Sequence, residues 1–251
     1  MVYSPVVALG FLGALQGRSE IHSRQTNATG CATGVHMIVA RASTEQPGTG
    51  VIGAIANNIQ SQVPGSDIVP VDYPALLNPY QPSQKAGVTA MTKLVQDYAK
   101  ACPQTKMVLM GYSQGAHVTA DVLCGTSETG FEATEPQATD VTDKSMFLSN
   151  AEESLQAIDT NIVAAVVLMG DPSHVTGQPF DQGTSQKDGI FLRTKTAGCD
   201  AVSSKMASFC NSGDPFCDSG ADIQVHLSYV QSDGDAATKF IMSKVGGGAA
   251  A

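Results

Sequence analysis

In this chain a serine flanked by glycines directly follows an apolar run. The combination of run and serine restricts both the local fold and the possible chemistry. The run is Lys106-Met107-Val108-Leu109-Met110, and the pentapeptide after it is Gly111-Tyr112-Ser113-Gln114-Gly115. The run is typical of a strand and the residues from Ala116 of a helix, so G-x-S-x-G would form a sharp turn exposing the serine Oγ. A Cβ at Gly111 or Gly115 would collide with crowded backbone. The pattern predicts that Ser113 is a nucleophile.

The pentapeptide also has a purely structural interpretation, in which Ser113 caps the helix that follows it. Glycine-flanked serines recur by chance in a chain that contains 25 glycines. Catalysis therefore requires a general base and an acid elsewhere in the sequence.

Alternating strand-like and helix-like segments predict the fold class. We expect five strands, at 35–40, 67–72, 107–110, 162–169 and 205–210, and helices at 50–62, 83–102, 115–123, 151–158 and 236–245. The alternation indicates an α/β fold, a three-layer α/β/α sandwich around a five-stranded, mostly parallel, doubly wound sheet. Such sheets carry ligand sites at the carboxyl ends of their strands, where Ser113 would lie.

The N-terminus and the cysteines predict a secreted, extracellular protein. The apolar run 6–15 is too short to span a bilayer and is typical of a signal peptide, which we place at 1–17. No basic residue precedes the run, and a buried N-terminal element is the alternative. Six cysteines and the sequon Asn27-Ala28-Thr29 favour export. We expect a flexible lead-in at 18–30, one catalytic domain at 31–245 and a disordered tail at 246–251.

Charge and motifs restrict the partners. The net charge of −9 argues against nucleic acid and anionic membranes. Residues 126–160 hold eight acidic residues and one lysine, which predicts a solvated surface insertion rather than a binding site. Neither zinc-ligand spacing nor a phosphate-binding loop of the P-loop type is present. The prediction is a monomer that uses no metal and no cofactor.

Five histidines compete for the role of general base, the group that takes the serine proton. They are His22, His36, His117, His174 and His226. In α/β-hydrolases the triad runs serine, acid, histidine along the chain, with the histidine on a late loop, and His226 fits this order. His36 lies inside a predicted strand, and His117 points along its helix. His174, after the fourth predicted strand, is the other candidate.

Two aspartates could orient the base, Asp171 and Asp214, and both also lie in Gly-Asp-Pro turn sequences. We favour Asp214 because it follows the last strand before His226. A disulfide between Cys210 and Cys217 would stiffen its loop, restricting the unfolded chain by about 2–3 kcal/mol. Asp171 would then brace its own loop.

The oxyanion hole needs two N–H donors. One belongs to the residue after the nucleophile, Gln114, and the other normally comes from the loop after the first strand. That loop spans 41–47, and Ser43 is best placed to donate from its backbone and hydroxyl. The structural alternative for Ser43 is a cap of the next helix.

These motifs together are similar to the secreted cutinase and acetylxylan esterase family of α/β-hydrolases. The resemblance covers residues 31–245 and is carried by Ala40-Arg41-Ala42-Ser43-Thr44-Glu45, Cys102-Pro103, the serine pentapeptide, the cysteine-flanked loop around Asp214 and His226-Leu227-Ser228-Tyr229. It implies a serine esterase with the triad Ser113, Asp214 and His226, and an oxyanion hole at Ser43 and Gln114.

The resemblance also implies a cysteine pairing, although counting alone would allow 15 connectivities. The implied pairs are Cys31–Cys102 and Cys210–Cys217, which leaves Cys124 and Cys199 to pair with each other. A third pair and the 12-residue step from Asp214 to His226 resemble acetylxylan esterases. An apolar rim of Leu77, Ile223 and Val225 is instead similar to cutinases, which hold acyl chains. We expect short-acyl esters such as acetylated xylan as substrate, with cutin polyester as the alternative.

Two distant alternatives come from other classes of protein. The run Gly48-Thr49-Gly50-Val51-Ile52-Gly53, with Asp72 further on, matches the dinucleotide fingerprint of an NAD-linked oxidoreductase. Seven residues, 41–47, separate it from the preceding strand, whereas the fingerprint requires the turn at once. A non-catalytic carbohydrate-binding protein is the other alternative, but the chain has no tryptophan for stacking on sugars.

Overall fold

The computed structural model describes residues 1, 30–136, 138–139, 158–159 and 162–246. By its contacts the chain divides into Met1–Gly30 and Cys31–Ala251, and the fold described below belongs to the second unit. The predicted signal peptide, the lead-in with His22, and the tail lie outside the described residues, except for Met1, Gly30 and Gly246. So does most of the acidic segment 126–160.

In chain order the strands and helices are β1 (His36–Ala40), α1 (Gly53–Gln62), β2 (Asp67–Pro70), α2 (Tyr80–Ala101), β3 (Met107–Tyr112), α3 (Gln114–Cys124), β4 (Ala138–Thr139), β5 (Ile158–Asp159), β6 (Val163–Met169), β7 (Asp181–Gly183), β8 (Met206–Cys210), α4 (Ile223–Leu227), α5 (Tyr229–Ser232) and α6 (Gly234–Val245). Strands and helices alternate as predicted up to α3, after which the described residues form five strands and then three helices. The α/β class is confirmed.

The main sheet is parallel throughout and has the order β2-β1-β3-β6-β8-β7. Its six strands exceed the five predicted, because the edge strand β7 has three residues, Asp181-Gln182-Gly183, without an apolar pattern. From β1 the chain moves outward to β2, and from β3 it moves the other way to β6. The loops after β1 and β3 therefore leave the sheet at its topological switch point, where such folds bind ligands.

Most element boundaries differ from the prediction by one to three residues. Helix α2 begins at Tyr80 rather than at 83. Pro82 is tolerated there because the N–H groups of the first helical turn have no acceptor within the helix, so the missing N–H of proline costs no hydrogen bond. The prediction of a helix at 151–158 is wrong at its last residue, since Ile158 belongs to strand β5 and pairs with β4. Residues 151–157 lie outside the described part of the chain. The strand β8 begins at Met206, because Lys205 ends a short 3₁₀ turn.

Two apolar layers cover the sheet. In β3, Leu109 faces the layer beneath α2 and α3, and Val108 faces the layer beneath α1 and α6, as strand alternation requires. The middle strands are buried along their whole length. Burial on both faces holds β1 and β3 rigidly, so the loops that follow them start from fixed positions.

Three disulfides stabilise the second unit, and they link Cys31 to Cys102, Cys124 to Cys199 and Cys210 to Cys217. The first ties the start of the unit to the end of α2. The second ties the end of α3 to a 3₁₀ turn, and the third closes the loop after β8. Among the described helices, none is both long and apolar enough to cross a bilayer.

Candidate active site

Ser113 occupies a strained turn between β3 and α3. Its φ of 55° and ψ of −119° lie where residues with a side chain are rarely found. Its N–H donates to the carbonyl of Met169 at 2.8 Å, which anchors the turn to β6. A Cβ on Gly111 would collide with the backbone of Gly115, and a Cβ on Gly115 would collide with the backbone of Ala40. Both glycines are therefore required by this turn.

The structure brings Ser113, His226 and Asp214 together in one line. The Nε2 atom of His226 lies 2.9 Å from the Oγ of Ser113, and its Nδ1 atom lies 2.8 Å from the Oδ2 of Asp214. His226 and Asp214 are buried, and Ser113 is partly exposed. The Ser113 hydroxyl is therefore accessible from outside, while the two groups behind it are shielded from water.

The carboxylate of Asp214 is held in its ionised form. Burial alone would raise its pKa, but the hydrogen bond and charge of His226 and two backbone N–H groups outweigh burial, and the pKa of Asp214 is lowered. The backbone donors belong to Phe216 and Cys217, at 2.7 and 3.1 Å from Oδ1. A charged carboxylate can fix the imidazole tautomer that leaves Nε2 free to accept a proton.

Two tyrosines support this line of groups, and sequence reasoning assigned a role to neither. The hydroxyl of Tyr229 donates to Oδ2 of Asp214 at 2.9 Å. Burial and the nearby Asp214 charge raise the pKa of Tyr229, so this hydroxyl stays protonated and donates. The hydroxyl of Tyr112 donates to the carbonyl of His226. The sequence does hold one signal for Tyr229. It follows His226 by three residues, a spacing that places the two side chains on neighbouring helical turns.

The ring of His226 is also positioned by packing. The Phe216 ring meets it edge to face, with centroids 4.5 Å apart. Gly170, at a φ of 60°, lies against the other side, where an added Cβ would be 2.9 Å from Cε1 of His226. His226 itself lies in the short helix α4 rather than on the loop that was expected, and this helix fixes its backbone.

The loop after β1 is fixed by its own side chains. Glu45 accepts hydrogen bonds from the N–H groups of Ala42 and Val51, at 2.6 and 2.8 Å. The guanidinium of Arg41 donates to the carbonyls of Glu45 and Tyr73. Ser43, held in this loop, has a buried Oγ with no hydrogen-bond partner among the described residues. That hydroxyl is available to a ligand.

Gln114 links the turn to a loop that carries apolar side chains. Its amide nitrogen donates to the carbonyl of Leu76 at 2.9 Å, and its amide oxygen accepts from Ser83 at 3.0 Å. Leu77 is 56% exposed, and Ile223, in α4, is 44% exposed. Val225 of the predicted rim is only partly exposed, whereas Leu76 and Leu227 are exposed as well.

The other candidate residues have structural partners. His36 lies 2.8 Å from Asp67 and stacks on Tyr98, and His174 lies 3.8 Å from Asp181. Asp171 accepts hydrogen bonds from the backbone and side chain of Ser173. These contacts give a structural role to each candidate residue outside the Ser113–His226–Asp214 line, except His117 and His22, which lies outside the described residues.

The glycine-rich loop before α1 does not offer a phosphate site of the dinucleotide type. Helix α1 begins only at Gly53, far from the end of β1 at Ala40. The carboxylate of Glu45 already binds the Val51 N–H, and a Cβ on Gly50 would collide with it. An anion of the protein itself therefore occupies the place that a pyrophosphate would need.

Two residues at the start of the acidic segment are exceptions to the predicted solvated insertion, whereas residues 129–136 are exposed or partly exposed. Thr126 and Glu128 are buried, and Glu128 pairs with Arg193 at 3.1 Å. The prediction was wrong here because Arg193 is far along the chain, so sequence gave no partner for Glu128. Residues 137, 140–157 and 160–161 lie outside the described part.

The sequence is similar to those of known esterases. The sequence is 30% identical to acetylxylan esterase 2 of Talaromyces purpureogenus over 84% of this chain and 87% of that protein. It is 32% identical to cutinase 11 of Verticillium dahliae over 85% of this chain and 70% of that protein. Both are named after the hydrolysis of esters.

The fold matches solved structures as well. The catalytic core domain of acetyl xylan esterase from Trichoderma reesei superposes with a TM-score of 0.73, at 29% identity, over 85% of this chain and 100% of that chain. The family model described as cutinase matches residues 31–245. The chain therefore belongs to the cutinase family and is a carboxylic ester hydrolase.

Proposed function

We propose that this protein is a serine esterase in which Ser113 is the nucleophile, His226 the general base and Asp214 the acid of a triad. The single observation that carries the proposal is the continuous line of atoms from Ser113 Oγ through the imidazole to Asp214, at 2.9 and 2.8 Å. A serine hydroxyl is nearly inert at neutral pH, and such a line supplies the base that activates it.

The proposed reaction has two halves. Nε2 of His226 takes the hydroxyl proton as Ser113 Oγ bonds to the ester carbonyl carbon, and the imidazolium then gives that proton to the leaving alcohol. In the second half, His226 takes a proton from water, whose oxygen bonds to the acyl carbon, and the proton returns to Ser113 as the acid leaves. Asp214 stabilises the imidazolium in both halves.

The proposed oxyanion hole lies between the loops after β1 and β3. Gln114 is the first residue of α3, and its backbone N–H is the first donor. Ser43 supplies its backbone N–H and its unpartnered hydroxyl as further donors. The carbonyl of Ala40 approaches Gly115 closely, which brings the two loops side by side. Each donor to an oxyanion contributes about 3–4 kcal/mol to the transition state in comparable sites.

We infer that the substrates are short-acyl esters of the kind found in acetylated xylan. The relatives and the solved core domain that carry the name acetylxylan esterase support this class. Cutin polyester is the second candidate, and the exposed leucines and Ile223 beside the site favour it, since apolar side chains can hold an acyl chain. The relative named cutinase 11 supports it too.

Hydrolysis of p-nitrophenyl esters from acetate to palmitate should separate these two substrates. For the wild type we expect kcat/KM to be highest for acetate or butyrate and to fall with longer chains. In Leu77→Ser, lost apolar contact should lower kcat/KM for octanoate and longer esters by about 10-fold, with little change for acetate. Leu77→Ile keeps the apolar surface and is the matched control. A maximum at palmitate would contradict the short-acyl assignment, and no hydrolysis of any ester would contradict the esterase.

Removal of the Tyr229 hydroxyl should weaken the triad without abolishing it. In Tyr229→Phe, Asp214 loses a donor and the N–H of Asn211 loses its acceptor at 2.8 Å. We expect the free energy of unfolding to fall by about 1.5–3 kcal/mol and kcat to fall by about 10-fold, with KM unchanged. Tyr98→Phe makes the same chemical change far from the triad, since Tyr98 accepts from Ala32. Equal kcat losses in both variants would argue against a role of Tyr229 at the triad.

We further infer that the protein is exported. Three disulfides with no free cysteine among the described residues suit an oxidising compartment. The high acidic charge remains an argument against nucleic acid as a partner. The monomeric state and the position of signal cleavage stay predictions.

A further inference from the structure

A buried group of four ionisable side chains lies beside α3, apart from the proposed triad. His117 and Asp121 are four residues apart on α3 and so share one face of the helix. Glu128 reaches them from the loop after α3, and Arg193 from a distant loop. Each of the four is at most 5% exposed. The proposed reaction uses none of them.

The hydrogen bonds of this group leave one oxygen of each carboxylate turned toward His117. The guanidinium of Arg193 binds Oδ1 of Asp121 at 2.6 Å and lies 3.1 Å from Oε1 of Glu128. The other oxygens, Oδ2 and Oε2, face Nε2 of His117. Gln84 and Thr126 also donate to Oδ2 of Asp121, at 2.6 and 2.8 Å.

The charges of the group do not balance. Two carboxylates and one guanidinium leave one negative charge uncompensated in a buried place, which is costly unless another positive charge is present. That charge must come either from a proton on one of these side chains or from a bound cation.

The position of the imidazole distinguishes these two sources. Whether the proton were on the imidazole or on a carboxyl oxygen facing Nε2, the two groups would be expected to hydrogen-bond at about 2.7–2.9 Å. Nε2 of His117 instead lies 3.6 Å from Asp121 and 3.8 Å from Glu128, and it has no hydrogen-bond partner among the described residues. Ligands at about 2.0–2.2 Å from a tetrahedral zinc ion are about 3.3–3.6 Å apart, close to this spacing. The three ligand atoms lie within 4.8 Å of one another.

We propose that His117 Nε2, Asp121 Oδ2 and Glu128 Oε2 form a binding site for one divalent transition-metal ion of the zinc type, with water as the fourth ligand. The surroundings suit such a site, because ligands are normally oriented by a second layer of hydrogen bonds. The Tyr80 hydroxyl lies 3.1 Å from Nδ1 of His117 and can accept its proton in the tautomer whose Nε2 is free for a metal ion. Arg193 holds the outer carboxylate oxygens.

The ion would enter from a surface pocket next to the site. Gln84, Thr126 and Phe131 line this pocket, and the ring of Phe131 lies 4.9 Å from that of His117. The first two of these side chains also hold Asp121. The spacing of residues in the sequence gives no signal for this site, because Glu128 joins the α3 pair only through the folded loop.

The role of the ion is structural. It would fasten the loop at the start of the acidic segment to α3, the helix that begins with the proposed oxyanion donor Gln114. Because the binding residues are separate from the triad, the site can be tested whether or not the esterase proposal holds.

The test uses the untagged protein with its disulfides formed, treated with EDTA and then dialysed. Titration with Zn²⁺ should show one equivalent bound by calorimetry and by metal analysis. At a hundredfold excess over the dissociation constant, Tm should rise by about 5–10 °C. Co²⁺ in place of Zn²⁺ should give the visible absorption of a tetrahedral ion and lose it when Zn²⁺ is added.

Variants locate the site. Glu128→Gln keeps the shape of the side chain and should abolish both the stoichiometric binding and the rise in Tm. His36→Gln alters another buried histidine, which pairs with Asp67 at the opposite end of the sheet, and should bind normally. If Glu128→Gln does not fold, the Co²⁺ spectrum of the wild type decides alone. Absence of binding and of any Tm change in the wild type, or equal loss in both variants, would overturn the proposal.

Discussion

Replacement of Ser113 by alanine is expected to lower kcat by roughly 10⁶-fold, because removal of a triad nucleophile abolishes the acyl-enzyme route and leaves only binding and the oxyanion donors. Alanine keeps the Cβ of serine, so it adopts the turn at φ 55° with the same strain. The free energy of unfolding should therefore change little. The measurement is p-nitrophenyl acetate hydrolysis by both proteins, with thermal melts to compare their stability.

A covalent probe provides the control for this variant. An alkyl fluorophosphonate should add one equivalent to the wild type, with the mass shift on the peptide that contains Ser113, and none to Ser113→Ala. Wild-type activity in the alanine variant, or labelling at another serine, would show that the nucleophile lies elsewhere.

Asp214→Asn is expected to lower kcat by about 10⁴-fold while the fold stays intact. An amide is nearly isosteric with the carboxylate, but it can donate to Nδ1 and so favours the imidazole tautomer whose Nε2 carries the proton. Such a ring cannot accept the proton of Ser113. Loss of the negative charge also removes the stabilisation of the imidazolium.

Asp171→Asn is the matched control, since Asp171 was the other aspartate in a Gly-Asp-Pro sequence. Its carboxylate bonds to Ser173 rather than to an imidazole, and this contact can persist with an amide. We expect kcat to change by less than about 10-fold. A larger loss of kcat in Asp171→Asn than in Asp214→Asn would show that Asp214 is not the acid of the triad.

The sequence predicted those features that depend on local pattern. The strand before Ser113 is continuous and apolar, and the glycines on either side match a turn that excludes a Cβ, so the position of Ser113 at a strand end could be predicted. The fold class followed from the alternation of elements, because each strand and helix carries its own periodicity.

The missed features depend on contacts between distant segments. The edge strand β7 has no apolar pattern, since its three residues are exposed or partly exposed and it pairs only with β8 among the described strands. Burial of Glu128 depends on Arg193, and the contact of Tyr229 with Asp214 depends on how α5 returns to the loop after β8. None of these contacts leaves a periodic signal in the chain.

The side chain of Gln114 has a consequence for how this enzyme can diversify. On the proposed mechanism its N–H meets the oxyanion, while its amide also anchors the loop of Leu76 and Leu77. A backbone shift in this loop would then alter turnover together with acyl preference, because it moves the Leu76 carbonyl and disturbs the residue beside the nucleophile. Adaptation to a new ester should therefore proceed first through exchange of exposed side chains, such as Leu77 and Ile223, that leaves this carbonyl and the α4 backbone in place.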